Sequence, residues 1–192
     1  ATRTTGRRSA VRSSNPPHDG PQQQLPQSQQ LGTHQSHLLP AIRDGCEEHT
    51  LPEDGGESKP VRYIRVNPEA GGGAAAAEGR VAEPTVAVFF HGCSHTARDF
   101  CPASPRCPKC TGLPQEVRWA EAALRRGLVV VAVSSGDRSP GCWSQKRPFA
   151  DNADVARVLR VLAAEGLGAH RVVTMGASSG GGFAPLFAKA VA

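Results

Sequence analysis

Ser178 has the sequence context of a catalytic nucleophile. It is the central residue of Gly176-Ala177-Ser178-Ser179-Gly180, so a glycine stands two positions to either side of it. When such a segment joins a strand to a helix, the turn is sharp and exposes the serine hydroxyl for attack on a carbonyl carbon. Glycines are expected at 176 and 180 because a side chain there would meet neighbouring backbone. Ser179 is the lesser candidate, since only Ser178 has glycine at both two-residue offsets.

The segments on either side of this turn make the signal more specific. Arg171 to Met175 is rich in β-branched residues, which predicts a strand, and the sequence after the turn is apolar and helix-prone. A phosphate-binding loop is the alternative for a glycine-rich turn of this kind. That loop requires Gly-x-x-x-x-Gly-Lys-Ser/Thr, and no lysine follows Gly180 before Lys189. The context therefore favours a nucleophilic serine, whose developing negative charge the helix N-terminus would stabilise.

The elements that must position this turn can be predicted from hydrophobic periodicity. Thr85 to Phe90 and Leu128 to Val133 are continuous apolar runs, which predict parallel strands buried on both faces, as does Arg171 to Met175. Val61 to Val66 alternates apolar and polar residues and predicts a half-buried strand. Two helices are predicted from apolar residues at helical spacing, which are Val117, Ala120, Ala123 and Leu124 in the first and Val155, Val158, Leu159 and Leu162 in the second.

Alternation of strands and helices predicts the fold class. Right-handed crossovers would place the helices on both faces of a parallel sheet, in a three-layer α/β sandwich. Asp151 or Asn152 is the expected N-cap of the second helix, because a side-chain oxygen just before the apolar stripe can accept a backbone amide. The predicted order brings the ends of the buried strands to one edge of the sheet.

The first sixty residues differ in composition from the rest. They are crowded with Gln, Ser, Pro, Arg and His and offer few apolar side chains to offset the entropy lost on ordering. We predict that residues 1–60 are a disordered low-complexity segment and linker, and that residues 61–192 are the N-terminal part of the α/β domain. No Asp, Glu or His follows Ser178. The expectation is a chain truncated after the serine turn, which lacks its acid and histidine partners and is close to inactive.

A second backbone donor is expected after the first buried strand. His91-Gly92-Cys93 lies there, at the sheet edge that also carries the serine turn. A loop at this point contributes one amide to the oxyanion hole of a serine hydrolase. The expected donors are the amide of Ser179 and that of Cys93 or Ser94. We expect His91 and Gly92 to order this loop.

Four blocks of sequence occur in a fixed order and cover about half of the chain. They are His91-Gly92-Cys93 with Ala97, Asp99 and Phe100, then Gly141-Cys142-Trp143, then Asp154-Val155-Ala156, and then Arg171 to Gly181. Together they resemble the polyhydroxybutyrate depolymerase and feruloyl esterase branch of the α/β-hydrolases. The resemblance implies a serine esterase that forms an acyl-enzyme on Ser178, with Cys93 in the oxyanion hole and a small-molecule or polymeric ester as substrate. α/β-Hydrolases place their histidine after the nucleophile, so His91 is expected to be structural rather than a general base.

Three other functions are compatible with the residues. A serine peptidase can be built on the same fold, and fold alone does not separate it from an esterase. A non-catalytic hydrolase-like binding protein is favoured by the absence of triad partners after Ser178. A zinc-binding interaction module is the third alternative, because the loop after the first buried strand is rich in cysteine.

Six cysteines are many for a domain of this size and favour the secretory pathway or the extracellular space. Cys93 and Cys142 follow two successive buried strands, so their loops emerge at the same sheet edge and predict a disulfide. The three cysteines between them belong to a loop that is either stapled by disulfides, contains free thiols or binds zinc. The ligands of that zinc site would be Cys101, Cys107, Cys110 and His95.

Charge and hydropathy argue against two classes of partner. The formal net charge is +5, but the Lys and Arg residues are scattered and not clustered on one element, so no nucleic-acid partner is predicted. No stretch approaches the ~20 consecutive apolar residues of a membrane-spanning helix. The chemistry inferred for Ser178 requires no cofactor, and none is predicted.

Overall fold

A five-stranded mixed sheet organises the protein, as seen in a computed structural model that describes residues 38–52, 60–68, 85–136 and 139–192. The strands are β1 (Glu47–Leu51), β2 (Val61–Val66), β3 (Thr85–Phe90), β4 (Val129–Val133) and β5 (Arg171–Gly176). The helices are α1 (Pro40–Asp44), α2 (Pro114–Leu124), α3 (Ala153–Ala164) and α4 (Ser179–Ala190), with 3₁₀ helices at Ala97–Phe100 and Phe149–Asp151. The strand order is β1-β2-β4-β3-β5.

The strand directions confirm the predicted α/β class and refine it. β3 pairs in parallel with both β4 and β5, as the continuous apolar runs predict. β2 runs antiparallel to β4, and β1 runs antiparallel to β2, so the sheet is mixed rather than all parallel. Charged residues such as Glu47 and Arg65 pair across β1 and β2, which suits an antiparallel edge open to water on one side.

Helices cover both faces of the sheet and create two cores. Alternation along β3 sends Ala87 and Phe89 to one face, where they pack with α1, α2 and the first 3₁₀ helix. The other face carries Phe90, which packs with α3 and α4. Phe183 of α4 makes an edge-to-face contact with Phe90 at 4.9 Å between ring centroids. The three-layer arrangement is therefore present.

Asn152 is the N-cap of α3, one of the two residues predicted for that role. Its Oδ1 accepts hydrogen bonds from the amides of Asp154 and Val155 at 3.0 and 3.4 Å. Its side-chain amide donates to the carbonyl oxygens of Ser144 and Lys146, so the same residue holds the preceding loop against the helix. An N-cap of this type contributes about 1 kcal/mol to stability.

The prediction of disorder through residue 60 is wrong for residues 38–52. This segment forms α1 and β1, and Ile42 is fully buried in the core. A disulfide joins Cys46 to Cys101, and Glu48 accepts two hydrogen bonds from Arg98 at 2.8 and 2.9 Å. Its few apolar residues are ordered through these long-range contacts, which composition does not show. Residues 1–37 and 53–59 lie outside the described residues.

β5 is less buried than its sequence predicts. Val173 and Met175 are 46% and 44% exposed, although both belong to a β-branched and apolar run. They pair in register with Ala87 and Phe89 of β3 and so lie on the face covered by α1 and α2 elsewhere in the sheet. Thr174, on the opposite face, donates its hydroxyl to the Ala184 carbonyl of α4. Within the described ranges, no helix has the length and apolar character needed to cross a membrane.

Candidate active site

The backbone at Ser178 has the conformation expected of a strained serine turn. Its φ is 49° and its ψ is −115°, between the end of β5 and the start of α4. Holding a residue with a side chain at positive φ costs of order 1–3 kcal/mol, which the surrounding structure must offset. Strain of this kind is typical of positions where a side chain has to be aimed at a ligand.

The two glycines of the motif sit where backbone segments touch. A Cβ at Gly176 would lie 2.3 Å from the carbonyl carbon and oxygen of Gly180. A Cβ at Gly180 would lie 2.3 Å from the carbonyl oxygen of Phe90 and 2.5 Å from that of His91. Both distances are far below van der Waals contact, so each position admits glycine alone without a shift of backbone. These contacts set the start of α4 against the end of β3.

Exposure distinguishes the two adjacent serines. Ser178 is an exposed residue. The hydroxyl of Ser179 is buried and has no hydrogen-bond partner among the described residues. Ser178 is therefore accessible from solvent, whereas the hydroxyl of Ser179 is not.

The structure changes the assignment of the oxyanion donors. Ser94 was one of two candidates on the β3 loop, but its amide donates to the carbonyl oxygen of Pro140 at 2.7 Å. That amide is occupied, so the prediction of Ser94 as a donor is wrong. The amide of Cys93 has no acceptor among the described residues. The amide of Ser179 belongs to the first residue of α4, where helix geometry leaves it without an intrahelical acceptor.

His91 is built into the structure of the loop. Its Nδ1 donates to the carbonyl oxygen of Gly92 at 2.6 Å, and its Nε2 accepts the amide of Ser135 at 2.9 Å. The residue is only 1% exposed, and its ring lies against Trp143. Burial lowers the pKa of this imidazole below its ordinary value of 6.5, against the opposing effect of the hydrogen bond to Gly92. The ring is thus neutral and links the loop after β3 to the loop after β4.

This linkage predicts acid sensitivity of the fold. Because the folded pKa of His91 is depressed, the unfolded chain binds more protons as the pH falls below about 6.5. The free energy of unfolding should therefore be constant above that pH and decrease below it, within a window where most carboxylates stay ionised. Urea denaturation at pH 7 and pH 5 measures the change. The variant His91→Gln should be less stable at pH 7 and show a smaller difference between the two pH values; an equal difference in both proteins would contradict the assignment.

A second histidine of this loop, His95, forms a hydrogen-bonded pair with Asp99. His95 Nδ1 donates to Asp99 Oδ2 at 2.9 Å, and the side chains are 47% and 6% exposed. The same carboxylate accepts the amide of Thr96 at 3.2 Å in a capping box of the 3₁₀ helix. Gly92 lies between this histidine and the serine turn. A Cβ at Gly92 would lie 3.6 Å from His95 Cδ2 and 3.5 Å from Ser178 Cβ.

Disulfides account for the cysteines of this region. Cys93 is joined to Cys142, as the shared sheet edge predicts. Cys107 is joined to Cys110, and Cys101 is joined to Cys46 of the segment before β1. Because these sulfurs are bonded to one another, they are not thiolate ligands, and the alternative of a zinc site on this loop is not supported. Three disulfides are typical of an oxidising environment.

Asp154 fixes the loops that follow β4. Its side chain is fully buried, its Oδ1 accepts the amide of Gly136 at 2.9 Å, and its Oδ2 accepts the amide of Ser144 at 2.7 Å. This role was not predicted, although the residue belongs to one of the four sequence blocks described above. A carboxylate in the first turn of a predicted helix is the only signal that the sequence provides for it.

A cavity of about 360 Å³ is bordered by His95. The loop after β3 contributes His91 and His95 to its wall, the loop after β4 contributes Ser134 and Ser135, and Arg62 borders it from β2. Ser178 is not among the lining residues. The volume falls within the range of small-molecule sites.

Sequence reasoning missed the place of two residues in this region, His95 and Cys46. His95 was considered as a zinc ligand, but its imidazole hydrogen-bonds to Asp99. The signal was available, because Thr96 and Asp99 have the spacing of a capping box that places the carboxylate four residues after the histidine. Cys46 gave no such signal, since its partner lies 55 positions away.

Comparison with known proteins gives matches among solved structures alone. No protein-family model matches the chain, and no curated protein is similar enough to count as a match. An α/β serine hydrolase without a lid from Xanthomonas campestris is 20% identical, over 78% of this chain and 59% of that one, with a TM-score of 0.40. Brefeldin A esterase, a bacterial homologue of human hormone-sensitive lipase, is 25% identical, over 74% and 34% of the two chains, with a TM-score of 0.34. The chain thus spans less than two thirds of either protein.

Proposed function

We propose that the protein is a serine hydrolase that cleaves carboxylic esters through an acyl-enzyme on Ser178. The observation that carries this proposal is the geometry of the serine turn. An exposed hydroxyl stands at positive φ at the start of α4, between two glycines that are in backbone contact. A plain structural turn would not require a serine in this strained conformation.

The backbone around the turn supports the proposed chemistry. Attack of Ser178 Oγ on an ester carbonyl places negative charge on the carbonyl oxygen. The amides of Ser179 and Cys93 are the proposed donors to that oxygen, and the N-terminus of α4 adds a favourable dipole. Losing one such donor typically raises the barrier by about 2.7–4 kcal/mol. The Cys93–Cys142 disulfide holds the loop that carries the second donor.

The class of bond and the compartment belong to the same proposal. The resemblance of the four sequence blocks to polyhydroxybutyrate depolymerases and feruloyl esterases favours an ester over a peptide bond. A serine peptidase remains the alternative within the same chemistry. The three disulfides favour a secreted protein or one of the secretory pathway.

Covalent labelling of the full-length protein tests the nucleophile. A fluorophosphonate probe should label wild-type protein, and peptide mass spectrometry should locate the adduct on Ser178. Ser178→Ala should abolish labelling and reduce hydrolysis of p-nitrophenyl esters by at least about 10³-fold, because the covalent pathway is lost. Ser144→Ala is the matched control, since Ser144 lies in the loop after β4 and its hydroxyl accepts a single long hydrogen bond, from the Lys146 amide at 3.3 Å, so both readouts should be unchanged.

The outcomes separate the alternatives. Labelling of Ser178 with turnover of a peptide anilide, but not of esters, would identify a peptidase. Equal labelling of Ser178→Ala and wild type would contradict the proposed nucleophile. A folded protein in which Ser178 takes no probe would favour the non-catalytic binding function.

A further inference from the structure

The cavity bordered by His95 is lined by positively charged and hydroxyl side chains. Two arginines and four hydroxyl residues belong to its wall, which are Arg62, Arg157, Thr50, Thr96, Ser134 and Ser135. None of the described residues that line it is an Asp or a Glu. A guanidinium is always charged, and its planar fork of donors matches two oxygens of a carboxylate or phosphate. The wall therefore has the chemistry of a site for an oxyanion.

Arg62 is the accessible cation of this wall. It lies on β2 directly opposite Thr50 of β1, and its side chain is exposed. Its carbonyl oxygen accepts the amide of Ser134 at 2.9 Å, so its backbone is held between β1 and the end of β4. Arg65 on the same strand is paired with Glu165, whereas no carboxylate of the described residues bonds to Arg62. The guanidinium of Arg62 can therefore donate to a ligand that enters from solvent.

Arg157 brings a second positive charge to the cavity from α3. It is only 8% exposed, and its Nη2 donates to the carbonyl oxygen of Pro60 at 3.0 Å. This bond fixes the side chain against the segment that leads into β2. Water screens a buried charge less than an exposed one, so Arg157 strengthens the attraction of the cavity for an anion.

The rest of the wall is already ordered by hydrogen bonds. The hydroxyl of Ser134 accepts the amide of Ala97 at 3.1 Å and keeps its own proton for donation. Ser135 donates its hydroxyl to the Gly141 carbonyl at 2.8 Å and its amide to Nε2 of His91 at 2.9 Å. These loops follow the carboxyl ends of β3 and β4, the edge at which α/β sheets commonly bind ligands. A preformed wall of this kind lowers the entropic cost of binding.

We propose that this cavity binds a small organic anion through a carboxylate or phosphate group that accepts hydrogen bonds from Arg62. A water molecule occupies about 30 Å³ of liquid, so a cavity of about 360 Å³ holds far more than a bare inorganic ion. Arg157 adds positive charge, and the Ser134 hydroxyl can donate to the same ligand. Ser178 does not line the cavity, so this binding site goes beyond the proposed function.

Isothermal titration calorimetry of the full-length protein tests the site. The probes are succinate, glycerol 3-phosphate and the neutral analogue succinamide, at about 0.15 M ionic strength to screen surface charges. One or both anions should bind at a single saturable site, and succinamide should not bind. Arg62→Gln should raise the Kd by about tenfold or more, because a charge-assisted pair is lost. Arg62→Lys should raise it less, since the charge is kept without the planar fork.

Arg171→Gln is the matched control for the loss of charge. Arg171 is exposed and begins β5, at the end of the sheet opposite to the cavity, so this variant should keep the wild-type Kd. An equal rise of the Kd in Arg171→Gln and Arg62→Gln would mean attraction by net charge alone and would overturn the proposal. Circular dichroism shows which variants are folded. Should Arg62→Gln unfold, the Kd of Arg62→Lys decides, and a wild-type value would contradict the site.

The same titrations separate this inference from the proposed function. Binding of succinate alone would identify a carboxylate ligand, and binding of glycerol 3-phosphate alone a phosphate ester. If neither anion binds, or if folded Arg62→Gln binds as tightly as wild type, the inference is wrong while the role of Ser178 stands. Ser178→Ala should bind the anion with the wild-type Kd, and loss of binding there would place the anion at the serine instead. Since no ester is turned over in these titrations, failure of the proposed function would leave the binding result intact.

Discussion

Replacing Gly180 with alanine is expected to destabilise the fold by about 3 kcal/mol or more and to abolish labelling of Ser178. The added methyl would stand 2.3 Å from the carbonyl oxygen of Phe90 and 2.5 Å from that of His91. Both atoms are backbone, at the end of the central strand β3, so neither can rotate away as a side chain would. To relieve this steric clash, α4 must move away from the sheet. That movement would carry Ser178 and the Ser179 amide away from the loop that contains Cys93.

Gly168→Ala is the matched control for this change. A Cβ at Gly168 would meet nothing within 4 Å, and its backbone is not in the left-handed region. Urea denaturation should show a lower midpoint for Gly180→Ala and a midpoint close to wild type for Gly168→Ala, with labelling retained in the latter. Equal urea midpoints for the two variants would contradict the close packing of α4 against the end of β3.

The strands, the helix cap and the serine turn could be predicted because they depend on neighbours in sequence. β3 and β4 are continuous apolar runs, and such runs are buried in parallel sheets whatever surrounds them. Asn152 caps α3 through residues two and three positions away. The turn at Ser178 requires glycine two positions to either side. In each case the physical cause lies within a few residues, so the sequence displays it.

Other features depend on contacts between distant segments, and these could not be predicted. Six cysteines permit 15 pairings, and the partner of Cys101 was found in a segment whose composition predicts disorder. The sequence also does not show that the amide of Ser94 donates to the carbonyl oxygen of Pro140, which removes it as a donor to the oxyanion. The place of His95 beside Ser178 depends on how closely α4 packs at Gly92. Spacing in the chain shows none of these approaches.

Removing the Cys93–Cys142 disulfide is expected to lower both the stability of the fold and the rate at which Ser178 is labelled. The bond joins the loops after β3 and β4 across 49 positions, so it restricts the unfolded chain over a long loop. Chain entropy gives about 4 kcal/mol for a loop of this length, and measured values are often lower. Cys107–Cys110 spans 3 positions, for which the same relation gives about 2 kcal/mol. Stability alone should therefore separate the two pairs.

The rate at which the probe labels Ser178 should distinguish the two disulfides more clearly than stability does. The Cys93–Cys142 disulfide anchors the loop that contains the Cys93 amide and His95. The Cys107–Cys110 disulfide lies further along the chain, after the 3₁₀ helix Ala97–Phe100. The double variant Cys93→Ala/Cys142→Ala should melt at lower urea concentration and label Ser178 more slowly even where it is fully folded. The double variant Cys107→Ala/Cys110→Ala should keep the wild-type labelling rate. Equal labelling rates in the two variants would mean that the β3 loop holds its donors without the disulfide, and that His91 and Asp154 suffice to order the site.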